Sequence, residues 1–180
     1  MKSQFKQKLV KKIYPELAKK LGIKKFYELP RIEKIIVNVG MAKIRDVKET
    51  VQKIAADIEK ITGQKPKFIK SKRSIAEFKL RTGETVAMMT TLRNEKMYEF
   101  LYKLINFALP AVRDFKGLNA KFDSHGNFNL GIREYAVFPE IMYENVTHIQ
   151  SIGINICVKA KKVEYAKKLL EVIGLPVAKQ

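Results

Sequence analysis

A chain of 180 residues with 36 Lys and Arg against 18 Asp and Glu carries +18 over a composition that is 46% hydrophobic, which excludes a disordered tail and predicts one folded domain over residues 1–180. So strong a field opposes compaction and argues against a freestanding enzyme unless its ligand is a polyanion; nucleic acid or an anionic membrane is the partner it suits. No apolar run approaches the roughly 18 residues of a membrane span, lysines break up any signal-peptide core in residues 1–20, and the single cysteine, Cys157, cannot form an internal disulfide, which agrees with a reducing compartment.

Residues 1–30 hold nine lysines against Glu16 and Glu28, and Phe5, Leu9 and Ile13, spaced by four, give a basic amphipathic helix one narrow apolar stripe. Pro15 suits the first turn of a second helical segment, which Gly22 ends. From Arg31 the β-branched run Ile32, Ile35, Ile36, Val37, Val39 predicts a buried strand closed by Gly40. Asp46 and Glu49 resemble a capping box for a helix with the face Val47, Val51, Ile54, Ile58 and Ile61, ended by Gly63. Residues 65–70 and 85–92 read as strands flanking a polar loop. A helix with Met97, Phe100, Leu101, Leu104, Ile105 and Ala108 inward follows, stopped by Pro110.

Residues 111–150, rich in Gly and Asn, predict short strands or a hairpin with long connections. Ile152, Ile154, Ile156 and Val158 alternate as a half-buried strand does, and Val163, Ala166, Leu170 and Ile173 line a closing helix ended by Gly174 and Pro176. The expected fold is α+β: a single mixed or antiparallel sheet with helices packed on one face, a long basic loop between two strands, and the other face left for a ligand.

The chemistry is concentrated in residues 64–81, where Lys65, Lys67, Lys70, Lys72, Arg73, Lys79 and Arg81 face the single acid Glu77, with Phe68, Ile75 and Phe78 interleaved. Cations for phosphates beside apolar groups for sugars or bases make a nucleic-acid surface, against the plainer alternative of a solvated lysine-rich loop. The lack of any helix-turn-helix, zinc-finger or basic-zipper pattern favours RNA over DNA. Lysine outnumbers arginine 29 to 7, favouring diffuse phosphate contact over base-edge readout. Asn38, Gln64 and Thr91 fall at the ends of predicted elements, where neutral groups could address ribose hydroxyls, phosphates or a bulged base, or could equally be turn, solvated and strand residues.

Residues 134–145 carry Glu134, Glu140 and Glu144 without a Lys or Arg, either a face for a basic protein or an ordinary acidic loop. Catalysis finds little support. His125 lies in the turn-like Ser124–Asn127, His148 beside Ile149, and neither has metal-ligand spacing. Cys157 reads as a small buried hydrophobe, and no phosphate-binding glycine pattern implies a nucleotide cofactor. Two rival classes remain on the residues alone. An RNA-processing enzyme would need acids or histidines in segment 64–81, and a peripheral membrane protein would use the N-terminal helix.

The segments PRIEKIIVNVG (30–40), TGQKPKFIKSKRSIAEFKLRTGE (62–84), TLRNEKMYEFLYKLINFALPAVRDFKGL (91–118) and FDSHGNFNLGIREYAVFPEIMYENV (122–146) closely resemble, in the same order, the bacterial large-subunit ribosomal protein five family, which binds 5S rRNA. The resemblance runs from about residue 30 to the C-terminus, and RDFKGL, FPEI and GQKP together make it specific. It implies a non-catalytic protein without cofactor or membrane partner, in the central protuberance of the cytoplasmic ribosome. There it would attach 5S rRNA beside neighbouring large-subunit proteins and RNA, contact the peptidyl-site tRNA and bridge to a small-subunit head protein.

By that resemblance Asn38, Gln64, Lys65, Lys67, Thr91 and Arg93 would bind 5S rRNA, and Lys72, Arg73, Ser74, Lys79 and Arg81, in the loop 71–83, would contact tRNA. Arg113, Lys116, Glu140 and Glu144 would lie on the bridge side. The chain departs from the family in carrying Asn94, a potential helix N-cap, where a Gly usually follows Thr-Leu-Arg, and in the Ser124-His125 pair after Phe-Asp.

Overall fold

The computed structural model describes residues 4–23, 25–42, 44, 47–78, 80–112, 121–141 and 150–175. Helix α1 (Gln4–Lys8) passes through a π-helical turn (Leu9–Ile13) into α2 (Tyr14–Leu21), with Pro15 in its first turn and Gly22 closing it at φ 66°. A left-handed φ is cheap for glycine alone, so the chain turns there. Phe5, Leu9 and Ile13 are buried in the main core, and Lys6 reaches Glu95 at 2.6 Å, fastening the segment to the body. The stripe that a membrane-binding helix would need is therefore already covered by protein.

Strand β1 (Arg31–Gly40) follows a 3₁₀ turn (Phe26–Glu28), and α3 (Lys48–Thr62) ends at Gly63 as expected. The start of α3 differs from expectation. Val47 takes the N-cap position without a side-chain cap and is 51% exposed, while Asp46 lies outside the described residues. Thr50, Ile54, Ile58 and Ile61 form the inward face, one turn later than a face beginning at Val47.

Strands β2 (Lys67–Lys70) and β3 (Thr85–Leu92) precede α4 (Asn94–Lys103). The helical path ends at Ala111, one residue past Pro110 and close to where the proline was expected to stop it. A π-helical turn (Leu104–Ala108) carries the path into a short α5 (Leu109–Ala111), and the Leu109 N–H bonds back to the Leu104 carbonyl. The wider turn shifts the carbonyls that a proline ring would otherwise meet. Strands β4 (Lys121–Phe122) and β5 (Phe128–Ile132) form the expected hairpin, and β6 (Ile152–Lys159) and α6 (Val163–Ile173) complete the chain.

All strand pairs are antiparallel, in the order β2-β3-β1-β6-β5-β4. Ile32, Ile35, Val37 and Val39 of β1, Met88 and Leu92 of β3, Phe128 and Ile132 of β5, and the even positions of β6 share one core with the helices. The helices therefore cover one face, and the odd positions of β6 look the other way.

Candidate nucleic-acid interface

Residues directly opposite in an antiparallel ladder point to the same side. Asn38 of β1 lies opposite Met89 of β3 and Gly153 of β6, Lys67 of β2 also lies opposite Met89, and Gly131 lies opposite Gly153. One row across the uncovered face thus reads Lys67, Met89, Asn38, Gly153, Gly131. The next reads Thr91, Ile36, Asn155, Asn129, Lys121. These rows contain no carboxylate, so their described side chains offer amides, a hydroxyl and the Lys67 ammonium group without an acid to repel a phosphate.

The glycines have a use here. An atom placed at a Gly153 Cβ would stand 3.0 Å from Asn38 Cγ and closer still to its Oδ1, so the Asn38 amide lies across the surface of residue 153. Beside it the Asn155 amide nitrogen donates to Asn129 Oδ1, which leaves three amide N–H donors and the remaining lone pairs of these two side chains for a ligand. The expected site residues Asn38, Lys67 and Thr91 are brought together, Thr91 diagonal to Asn38 across β1 and β3. Gln64 follows Gly63, and its Nε2 donates to the Thr91 carbonyl at 3.3 Å, fixing the end of α3 to β3. Thr62 Oγ1 bonds the Ile58 carbonyl at 2.7 Å and receives the Gln64 N–H at 3.3 Å, and Lys96 Nζ donates to the Gly63 carbonyl at 2.7 Å. Lys65 and Arg93 are placed at the same end, next to Gln64 and Leu92 in the chain.

Arg93 enters α4 in an extended conformation without a side-chain cap, and Asn94 takes φ 52°, a positive value otherwise confined to glycines among the described residues. Asn94 therefore does not cap the helix. It stands in for glycine because asparagine tolerates the left-handed region better than other side chains.

Cys157 is not buried in the core. It lies opposite Lys34 on the uncovered face and is partly exposed. The same alternation that buries Ile156 and Val158 turns residue 157 outward. Burial by its neighbours pushes its thiol pKa up and Glu33 and Asp123 add to this, while Lys34 and Arg93 act the other way. Asp123 closes the β4–β5 turn by accepting from the N–H groups of His125 (2.9 Å) and Asn127 (2.7 Å) and from Asn127 Nδ2 (2.7 Å). The Asn127 side chain holds the Asp123 carboxyl below the usual carboxylate range, and His125 is a turn residue as expected.

The basic loop is an ordered arm. Ser71 N–H donates to the Glu84 carbonyl at 2.8 Å, Gly83 N–H to the Ser71 carbonyl at 3.0 Å, and Ile75 and Leu80 exchange both backbone bonds. Thr82 N–H donates to Ser74 Oγ at 3.0 Å, so Ser74 braces the arm. Lys72, Arg73 and Arg81 are exposed along it with Ile75 and Phe78, the latter 65% exposed; Lys79 lies outside the described residues. The arm leaves the sheet beside Gly40 and Thr85, at the opposite end from Gln64 and Arg93.

Of the expected bridge residues, Arg113, Lys116 and Glu144 lie outside the described residues, as does His148. Glu140 is not a free acid: Lys103 pairs with its Oε1. Sequence reasoning missed Lys34, Asn129, Gly153 and Asn155. The outward half of the 152–158 alternation was the available signal for the last two.

The family model described as "Ribosomal protein L5" matches residues 26–81, and the model for the C-terminus of the same ribosomal family matches residues 85–177. The chain is similar to the large ribosomal subunit protein uL5 of Thermoanaerobacter sp. (strain X514), 42% identical over 178 residues that cover 98% of this chain and 99% of the relative. It is also similar to those of Natranaerobius thermophilus (46%, covering 91% and 92%) and Thermus thermophilus (41%, covering 97% and 96%).

Proposed function

Given that this chain belongs to the ribosomal protein L5 family, and so is a structural, non-enzymatic component of the large subunit in the cytoplasmic ribosome, we propose that its uncovered sheet face attaches 5S rRNA in the central protuberance. The carrying observation is that Asn38, Lys67 and Thr91 share neighbouring acid-free rows of one face and that Gln64 is bonded to its rim. Lysine and arginine displace counterions from the RNA, and the neutral amides and hydroxyl fix its register through ribose and phosphate groups. Lys65 and Arg93 extend the charge at the rim. Residues 1–180 act as one RNA-binding unit, to which the N-terminal helices contribute core rather than a membrane anchor.

The arm carrying Lys72, Arg73, Ser74, Lys79 and Arg81 contacts the backbone of the peptidyl-site tRNA. Its separation from the Gln64 end of the face supports a second partner. Arg113, Lys116, Glu140 and Glu144 serve contact with a small-subunit head protein, a role supported by the resemblance; Glu140 is engaged by Lys103.

Filter binding of the full chain to isolated 5S rRNA tests the division. With about six phosphate contacts, log K falls against log salt with a slope of roughly −4 to −5. Replacing Asn38, Gln64 and Thr91 by Ala lowers affinity, while neutralising Lys72, Arg73 and Lys79 spares it and reduces tRNA contact. A slope near zero, or equal losses from the two sets, overturns the proposal.

A further inference from the structure

At the free end of β1 the uncovered face runs into an open pocket of about 310 Å³ bounded by Tyr27, Glu28, Arg31, Lys159 and Lys161. None of these positions belongs to the surfaces proposed above. Arg31 and Lys159 lie directly opposite in the β1–β6 ladder, a like-charge placement that destabilises a sheet unless an anion lies between them. Neither has an ion pair among the described residues, whereas Lys161 is held by Glu28 at 3.2 Å. Tyr27 is 75% exposed beside them, with Lys25 Nζ 5.9 Å from its ring centroid. An exposed aromatic ring next to two uncompensated cations is the pairing that binds one nucleotide of a single strand, the base on the ring and the phosphate on the cations. The volume, at the lower end of the range of about 300–1,000 Å³ for small-ligand sites, is of the size of one nucleotide.

We infer that this pocket binds an unpaired RNA nucleotide, its phosphate between Arg31 and Lys159 and its base against Tyr27. The inference extends the RNA-binding reading of the sheet face but rests on different residues, so the two can fail separately.

The chain has no tryptophan, so Tyr27→Trp in the full-length protein places a single fluorophore at the site. Single-stranded oligoadenylate should quench it. Adding Arg31→Gln and Lys159→Gln should weaken that binding roughly tenfold or more and reduce the salt slope by about 1.4, two phosphate contacts on a single strand. Filter binding of 5S rRNA by the same preparations runs in parallel, with far-ultraviolet circular dichroism confirming the fold. Absence of quenching in protein that still binds 5S rRNA overturns this inference alone; folded protein that binds neither overturns both proposals. Equal quenching by inorganic phosphate or by polyglutamate overturns the nucleotide assignment.

Discussion

Gly153→Ala separates the proposed RNA contact from folding stability. The new methyl group would stand 3.0 Å from Asn38 Cγ and closer still to its Oδ1, against about 3.5–4.0 Å for carbon atoms in comfortable contact, so the amide must move by about 1 Å or more or change rotamer. Asn38 is exposed and can move. An off-rotamer side chain costs about 0.5–1.5 kcal/mol, while replacing a strand-interior glycine by alanine returns roughly 0.5–1 kcal/mol. Unfolding free energy should therefore stay within about 1 kcal/mol of the parent protein. RNA affinity should not, because an amide turned from its ribose or phosphate partner leaves a polar group unpaired at about 1–3 kcal/mol, a loss of roughly 5- to 150-fold. Asn38→Ala should lose a similar amount, and the double variant should be no worse than Asn38→Ala, since both changes remove one interaction. Urea denaturation and filter binding of 5S rRNA read the two quantities. Affinity within twofold of the parent for Gly153→Ala, or losses that multiply in the double variant, would refute the placement of Asn38 at the RNA contact.

Asn94→Ala should lower the unfolding free energy by about 1 kcal/mol, because alanine tolerates a positive φ less well, whereas Asn94→Gly should leave it unchanged or slightly raised; equal destabilisation in urea would count against the left-handed role of Asn94. Tyr14 and Tyr135 both have pKa values pushed up to about 12, chiefly by burial, with Asp57 accepting the Tyr135 hydroxyl at 3.2 Å. Above pH 10 the unfolded chain ionises these phenols first, so the stability present below pH 10 is lost between about pH 10 and 12. Tyr14→Phe with Tyr135→Phe should flatten that fall, and absorbance titration at alkaline pH that found all tyrosines ionising together would contradict it. Cys157, its thiol pKa raised by burial, should alkylate slowly at pH 8 and more slowly with 5S rRNA bound; alkylation unaffected by saturating RNA would place the RNA elsewhere.

Local pattern sufficed wherever neighbouring residues make the decision. The alternation of residues 152–158, the β-branched run of β1 and the glycines after α2, α3 and α6 act through dihedral preference and period, so these elements appear where the sequence places them. The charge of +18 and the basic segment 64–81 already restricted the ligand to a polyanion, because charge survives any folding. Tertiary structure decided what depends on distant partners. Lys103 on Glu140, Lys6 on Glu95 and Gln64 on the Thr91 carbonyl each join segments far apart in sequence. The grouping of Lys67, Asn38 and Gly153 does so above all. Their sequence separations of 29 and 115 residues are bridged only by the antiparallel register of β2, β3, β1 and β6, and register is set by which apolar face must be buried, a property of the whole sheet and not of any one strand.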